Sequence, residues 1–284
     1  MTGPSSASGI FRFGPPTGIN RLGFGAMRVT GRSIWGPPGN RGNAIRVLRR
    51  AVELGVSLID TADSYGPNVS EELIAEALHP YPAGLVIATK GGLTRPSPGD
   101  WHRDARPQHL VSACEGSLKR LKLECIELYQ LHAPDPKVPF AESVGALLQL
   151  QRQGKIRHIG VSNVNVAQLA QARAIVEVVS VQNRYNLGER THDDVLEVCQ
   201  RDHIAFLPWA PLASGSIAGA SRAAARVAAR LGVTQAQVVL AWLLARSPVM
   251  VPIPGTASMA HLEENCAATR LTLSDAVQAE LARG

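Results

Sequence analysis

The sequence predicts an α/β chain folded as a single (β/α)8 TIM barrel, and three observations carry that prediction. Eight short apolar runs alternate with amphipathic, helix-type stretches along nearly the whole of the 284 residues. Several runs are apolar almost without interruption, such as Leu85-Val86-Ile87-Ala88. That is the pattern of parallel strands buried on both faces. The rival, an open doubly wound sheet, usually carries Gly-x-Gly-x-x-Gly after its first strand. Here Gly23-Phe24-Gly25-Ala26-Met27-Arg28 lacks the third glycine.

Taken in order, residues 1–9 show neither the basic nor the apolar block of a signal peptide and read as a flexible tail. Residues 10–284 then form the barrel domain. Runs 10–13 and 18–21 flank Gly14-Pro15-Pro16-Thr17 and suggest a β-hairpin that caps the amino-terminal end. The barrel runs end near Met27, Asp60, Lys90, His132, Asn163, Asn183, Ala210 and Pro254. Amphipathic helix patterns fill the gaps at 44–54, 71–78, 110–121, 144–153 and 166–176. Thr191 with Asp194 has capping-box spacing and should open the next helix. Residues 220–231 and 235–245 give two more helices before the last strand. Segments 259–265 and 274–283 close the chain. No shift in composition marks a linker, so the expectation is one domain.

Composition narrows the function classes. Hydrophobic content of 45% and charged content of 18% fit an ordinary folded protein. No apolar run reaches the roughly 18 residues of a membrane-spanning helix, and a cytoplasmic protein is expected. The formal charge of +6 is scattered rather than gathered in a block, which speaks against a nucleic-acid partner. Cys114, Cys125, Cys199 and Cys266 are far apart and contain no CxxC pair, and the histidines show no HExxH. Neither a zinc cluster nor a disulfide framework is expected, and no metal. Nothing in the chain indicates an oligomeric state.

Asp60, Lys90 and His132 each stand where a strand-type run gives way to a loop, and Tyr65 follows Asp60 by five positions. In a parallel sheet the carboxyl ends of strands share one rim, so such residues meet in space. A tyrosine beside a lysine, a carboxylate and a histidine suits proton transfer to or from a carbonyl or alcohol oxygen. A phenol titrates near pH about 10, and a lysine cation within reach would lower that value. His79, His102, His109, His158, His192 and His203 have no such placement and should face solvent. After the eighth run, Pro254-Gly255-Thr256-Ala257-Ser258 turns into a helix whose free N–H groups suit an anion.

The chain resembles the aldo-keto reductase superfamily from about Asn20 onward. The resemblance is carried by Arg21-Leu22-Gly23-Phe24-Gly25, Leu58-Ile59-Asp60-Thr61-Ala62-Asp63-Ser64-Tyr65-Gly66, Ala88-Thr89-Lys90 and Leu131-His132. It continues through Gly154-Lys155-Ile156-Arg157-His158-Ile159-Gly160-Val161-Ser162-Asn163, Val181-Gln182 and Ile253-Pro254-Gly255-Thr256. Such resemblance implies a (β/α)8 barrel that reduces aldehydes and ketones with a nicotinamide cofactor, without metal. It implies Tyr65 as general acid, Lys90 and Asp60 as its support, and His132 as the group that orients the carbonyl.

For the cofactor, the resemblance places the nicotinamide amide on Ser162, Asn163 and Gln182 and stacks its ring on Trp209, where the family often has tyrosine. Gly25, Ala26 and Met27 would lie against the nicotinamide ribose. The loop with Leu212 and Ser214 would cover the pyrophosphate. Ser258 and His261 would approach the adenosine ribose, and Glu264 and Asn265 the adenine. Members that prefer NADPH commonly have lysine where this chain has Gly255 and arginine where it has His261. NADPH is nevertheless the expected cofactor, with NADH the alternative.

Trp35 and Trp101 are expected to line the substrate pocket for a small carbonyl compound, with loop 94–106 as a mobile wall. Gly36-Pro37-Pro38 and Tyr65-Gly66-Pro67-Asn68-Val69-Ser70 are similar to a bacterial subgroup that includes a pyridoxal reductase, which makes pyridoxal the substrate candidate. The alternative function is a redox-sensing regulatory subunit that holds the cofactor with little turnover. A metal-dependent isomerase or hydrolase on the same barrel is disfavoured by the missing ligand cluster.

Overall fold

The computed structural model describes residues 3–14, 17–213 and 222–283. β1 (Ile10–Arg12) and β2 (Gly18–Asn20) form the expected antiparallel hairpin, with Ile10 opposite Asn20. The parallel strands follow: β3 (Phe24–Gly25), β4 (Leu58–Asp60), β5 (Val86–Gly91), β8 (Ile126–Leu131), β9 (Ile156–Ser162), β10 (Val178–Gln182) and β11 (Ala205–Phe206). A small antiparallel pair, β6 (Leu93–Thr94) with β7 (His102–Arg103), rises from the loop after β5.

The parallel strands lie in the order β11-β10-β9-β8-β5-β4-β3. The eighth run makes no regular ladder, yet it closes the barrel. Phe206 N donates to Val249 O and Val251 N to Phe206 O on one side. On the other, Gly23 N donates to Pro252 O and Gly25 N to Pro254 O. Pro252 and Pro254 have no N–H to give, so this strand accepts from β3 without donating there. The expected barrel is observed, with its last strand irregular for that reason.

Helices cover the outside: Arg41–Glu53, Val69–Leu78, Pro107–Leu121, Phe140–Arg152, Val166–Arg173, Asp193–Arg201, Arg222–Leu231, Gln235–Arg246, Met259–Ala267 and Asp275–Arg283. Several begin earlier than the apolar spacing indicates, because capping turns precede the first core-facing residue. The Thr191/Asp194 capping box does not form. His192 occupies the cap position of Asp193–Arg201 and supplies no side-chain bond.

The described part of the segment expected as a flexible tail, residues 3–9, packs on the barrel. Pro4–Ser8 is a 3₁₀ turn with Ser5 and Ser8 buried. Ser5 N donates to Leu54 O and Ser5 Oγ to Leu22 O, both at 2.9 Å. Serine hydroxyls that satisfy themselves on loop carbonyls explain how a stretch with no large apolar side chain can pack there. The hairpin also touches two histidines expected in solvent, of which His203 is exposed as expected and His158 is not. His158 is half-buried against Phe13, and His203 stacks on Phe11 with ring centroids 4.8 Å apart. His109 and His192 are half-buried as well, whereas His79 and His102 are exposed as expected.

Register delivers the chemistry to one rim. Asp60 pairs with Gly25 on one side and Ala88 on the other. Lys90, two residues beyond Ala88, shares its face and stands opposite Gln130. Among the described residues no single helix is long and apolar enough to cross a membrane.

Candidate active site

Asp60 is the last residue of β4, and the chain then turns through Thr61–Ala62–Asp63–Ser64 to Tyr65. Tyr65 N donates to Ala62 O, and Ser70 N returns to Tyr65 O, so the loop is tied at both ends of the tyrosine. Gly66 has φ +94°, and a Cβ there would lie 2.6 Å from Val69 Cβ. Only glycine permits this close turn directly after the phenol.

Lys90 is fully buried and Asp60 is 2% exposed. Lys90 Nζ donates to Asp60 Oδ2 at 2.7 Å and to the Thr61 carbonyl at 2.7 Å. The same nitrogen is 3.5 Å from the Tyr65 hydroxyl. The other Asp60 oxygen accepts from Gln182 Nε2 at 2.8 Å and Gln130 Nε2 at 3.3 Å. His132 follows β8 directly, and its N–H donates to Gly91 O. Its ring stands edge-on to Tyr65 with centroids 5.8 Å apart, and its Nδ1 is 3.4 Å from Ser64 Oγ. The four residues named from the sequence therefore come together.

Their protonation follows from burial and charge. Burial opposes the lysine cation, but Asp60 and the Tyr65 hydroxyl outweigh it and hold the Lys90 pKa above its ordinary value. Burial also raises the Tyr65 phenol; Lys90 partly offsets this, and Asp60 adds to it, so the net direction is up. Lys90 does pull the phenol pKa down, as the sequence argument held, but burial outweighs it and the expected net lowering is not found. Burial, followed by the Lys90 charge, pushes the His132 pKa well below its usual value, leaving a neutral imidazole.

The phenol opens into a cleft of about 970 Å³, at the upper end of the range for ligand pockets. Asp60, Tyr65 and His132 line its inner end beside Ser162, Asn163, Gln182 and Trp209. These polar groups fix one another. Ser162 Oγ donates to Gln182 O, Asn163 Nδ2 donates to His132 O and Ser162 Oγ, and Trp209 Nε1 donates to Asn163 Oδ1 at 3.0 Å. Asn163 holds this place with φ +58°, a left-handed conformation that asparagine tolerates. Gly25, Met27, Leu212 and Gly255 line the middle. Gly25 and Gly255 touch so closely that a Cβ on Gly255 would lie 2.3 Å from Gly25 O. His261, Glu264 and Asn265 line the far end.

Other expected residues are placed differently. Lys90 sits beneath Tyr65 and does not reach the cleft, and Ala26 is buried behind it. Ser258 does not line the cleft but caps Met259–Ala267, its Oγ accepting from His261 N. Trp101 lines the cleft, whereas Trp35 does not and forms a bridge with Gly66 instead. Ser214 lies outside the described residues.

Several contributors were missed. Gln130 was hidden as a polar residue inside an apolar strand, which was itself a signal that it faces the barrel interior. Thr234, Gln235 and Ala236 line the far end, and the Thr234/Gln237 capping box marked that helix start. Thr234 Oγ1 also donates to Glu264. Arg28 lines the cleft as an exposed cation.

A phenol with a buried cation beside it and a neutral imidazole across from it can donate a proton to an oxygen placed between them. The cleft beyond has the volume, amide groups and indole for a dinucleotide. Among the described residues, no cluster of His, Cys, Asp and Glu could hold a metal ion.

Comparison with known proteins identifies the family. The sequence model of the Aldo/keto reductase family matches residues 21–283. An uncharacterized oxidoreductase of Schizosaccharomyces pombe is 48% identical over 263 residues, covering 93% of this chain and 86% of that protein. Pyridoxine 4-dehydrogenase of Escherichia coli is 43% identical over 282 residues, covering 97% and 98%. Among solved structures, an aldo-keto reductase from Klebsiella pneumoniae in complex with NADPH superposes with a TM-score of 0.83. It is 28% identical, and the match covers 96% of this chain and 94% of that one.

Proposed function

The chain belongs to the aldo/keto reductase family, and from that premise we propose that it reduces small aldehydes and ketones to alcohols with NADPH, Tyr65 donating the proton. The observation that carries the proposal is the meeting of Tyr65, Lys90, Asp60 and His132 at the inner end of the cleft.

NADPH, when held in the cleft, would supply the hydride. Tyr65 gives its proton to the carbonyl oxygen as negative charge develops there. Burial keeps the phenol protonated at working pH, so the donor is always loaded. Lys90, 3.5 Å away, stabilises the phenolate that remains. Asp60 holds the lysine in place and takes its own support from Gln182 and Gln130. His132 is neutral, so it orients the carbonyl through a ring hydrogen bond rather than by charge. Asn163 and Ser162, locked together with Trp209, suit the nicotinamide carboxamide and ring. Glu264 and Asn265 suit the adenine, and His261 the ribose beside it. The redox-sensing alternative has no observation in its favour.

Pyridoxal is the proposed substrate, supported by the likeness to pyridoxine 4-dehydrogenase and by an exposed indole, Trp101, beside the phenol. The first test is loss of NADPH absorbance with 4-nitrobenzaldehyde, wild type against Tyr65→Phe. The variant should lose a factor of about 10² or more in turnover and keep its NADPH affinity. Near-normal turnover without the phenol would remove Tyr65 from its role. For the substrate, kcat/KM is compared for pyridoxal, benzaldehyde and an aldose; pyridoxal ranking last would discard it.

A further inference from the structure

We propose that Arg95 is a specificity-determining positioning residue: it latches Trp101 into a fixed aromatic wall beside Tyr65 and His132, favouring carbonyl substrates that carry a planar ring. The inference rests on the reductase reading of the site and adds to it the class of substrate.

Arg95 follows β6, at the tip of the β6–β7 pair, and is 6% exposed. Its guanidinium lies 3.9 Å from the centroid of the Trp101 ring and 5.6 Å from that of Trp35. Its two terminal nitrogens donate to Ile34 O at 3.1 Å and Ser33 O at 3.2 Å. It makes no ion pair among the described residues, and its Nε is buried without a hydrogen-bond partner. A buried cation with no carboxylate at ion-pair distance, only the Asp100 charge farther off, is a poor device for stability. Its contacts explain its position instead.

Those contacts run in two directions, and both end at the tyrosine. Through Trp101 they reach the substrate side. The indole stands edge-on to Tyr65 and to His132, each with centroids 6.4 Å apart. It remains 37% exposed, and it lines the cleft. Through Ser33 and Ile34 they reach the catalytic loop. Both residues have φ +58°, unfavourable for any side chain and especially for β-branched isoleucine. Arg95 takes the carbonyls that this turn presents. The turn delivers Trp35 to its bridge with Gly66, and Gly36 N donates to Gly66 O at 2.8 Å, directly after Tyr65.

One guanidinium thus holds the loop after β3, the hairpin after β5 and the indole between them. A ring fixed before substrate arrives loses no rotamer freedom on binding, so a flat substrate gains the full contact. A small aliphatic aldehyde covers little of the indole and gains little from its being fixed.

The test compares 4-nitrobenzaldehyde with propanal in wild type, Arg95→Met and Arg95→Lys. Methionine keeps the apolar stem, and lysine keeps the charge without the planar two-donor fork. In both variants kcat/KM for the aromatic aldehyde should fall about tenfold, mainly through KM, while propanal changes far less. Affinity for NADPH should be unmoved. Hydrogen exchange should quicken in residues 31–36 and 97–103 of both variants. Trp101→Leu should reproduce the change in substrate ratio, which keeps the test open if the Arg95 variants do not fold. An unchanged aromatic-to-aliphatic ratio overturns the proposal, as does a parallel fall for both substrates or unaltered exchange. If the wild type reduces no aldehyde, the reductase reading fails, and the exchange data still decide the latch.

Discussion

Replacing Lys90 by methionine should separate what the buried ion pair does for the fold from what it does for the reaction. Nζ lies 2.7 Å from Asp60 Oδ2, with the lysine fully buried and the carboxylate nearly so. Without the cation, Asp60 keeps only the amide donors of Gln182 and Gln130. Breaking a buried pair on one side costs about 3–5 kcal/mol. Because those amides still solvate part of the charge, the lower end applies, about 3 kcal/mol. At about 2–4 °C per kcal/mol for a domain of this size, Lys90→Met should melt about 6–12 °C below wild type in a circular-dichroism scan. The double variant Asp60→Asn/Lys90→Met leaves no buried charge, and the amide introduced at position 60 can still accept from Gln182. It should regain at least half of the lost stability. Activity should not follow, since neither variant has a cation to stabilise the phenolate. Turnover should stay down by about 10² or more in both. A double variant that recovers stability and turnover together would refute the catalytic role of Lys90. A single variant that melts with wild type would refute the electrostatics.

Two further outcomes are expected. One oxygen of Asp63 is sealed from solvent without a partner, and burial followed by the Glu71 carboxylate pushes its pKa up to about 8. The folded state therefore keeps a proton that the unfolded chain releases near pH 4. That contribution is complete below about pH 4 and is lost as pH rises through about 8. Asp63→Asn should gain on wild type over this window, by at most about 1.4 kcal/mol per pH unit because the rest of the residue is partly exposed; melting curves that stay parallel from pH 5 to pH 9 would contradict it. At the far end of the cleft, His261→Arg should tighten NADPH relative to NADH by about tenfold, through a guanidinium that can pair with the 2′-phosphate. Fluorescence titration with both cofactors measures the ratio, and an unmoved ratio would place the 2′-phosphate elsewhere.

The barrel was legible because its strands are apolar on both faces and end in polar residues, which marks period and rim together. Asp60, Lys90, His132 and the amides at Asn163 and Gln182 could be named for the same reason. What the sequence hid depends on contacts between elements. The opening serines looked like a solvated tail, since nothing local shows that Leu22 and Leu54 carbonyls await them. Trp35 and Trp101 looked alike as loop indoles, but the bridge to Gly66 turns Trp35 away from the cleft. Arg95 was invisible, because a lone arginine in a polar loop gives no hint of burial between rings. Thr191 and Asp194 had the spacing of a capping box and no box, because the turn places His192 at the cap.

The direction of the Tyr65 shift shows why the site must be read as a set of charges. Lys90 acting on the phenol alone would lower its pKa, which was the sequence argument. In the structure the same cation is shared with Asp60 at 2.7 Å, and the hydroxyl stands farther off at 3.5 Å. Much of the positive field at the phenol is therefore cancelled by the carboxylate behind it, and burial decides the net direction. This does not weaken a proton donor. A phenolate formed early would leave nothing to donate, and a cation unpaired in this interior would itself tend to lose its proton. Asp60 keeps the lysine charged and burial keeps the phenol protonated; in the proposed mechanism the stabilisation by Lys90 is felt when charge moves onto the tyrosine oxygen. Such stabilisation, larger as charge develops than before, is the kind that speeds a reaction rather than only tightening binding.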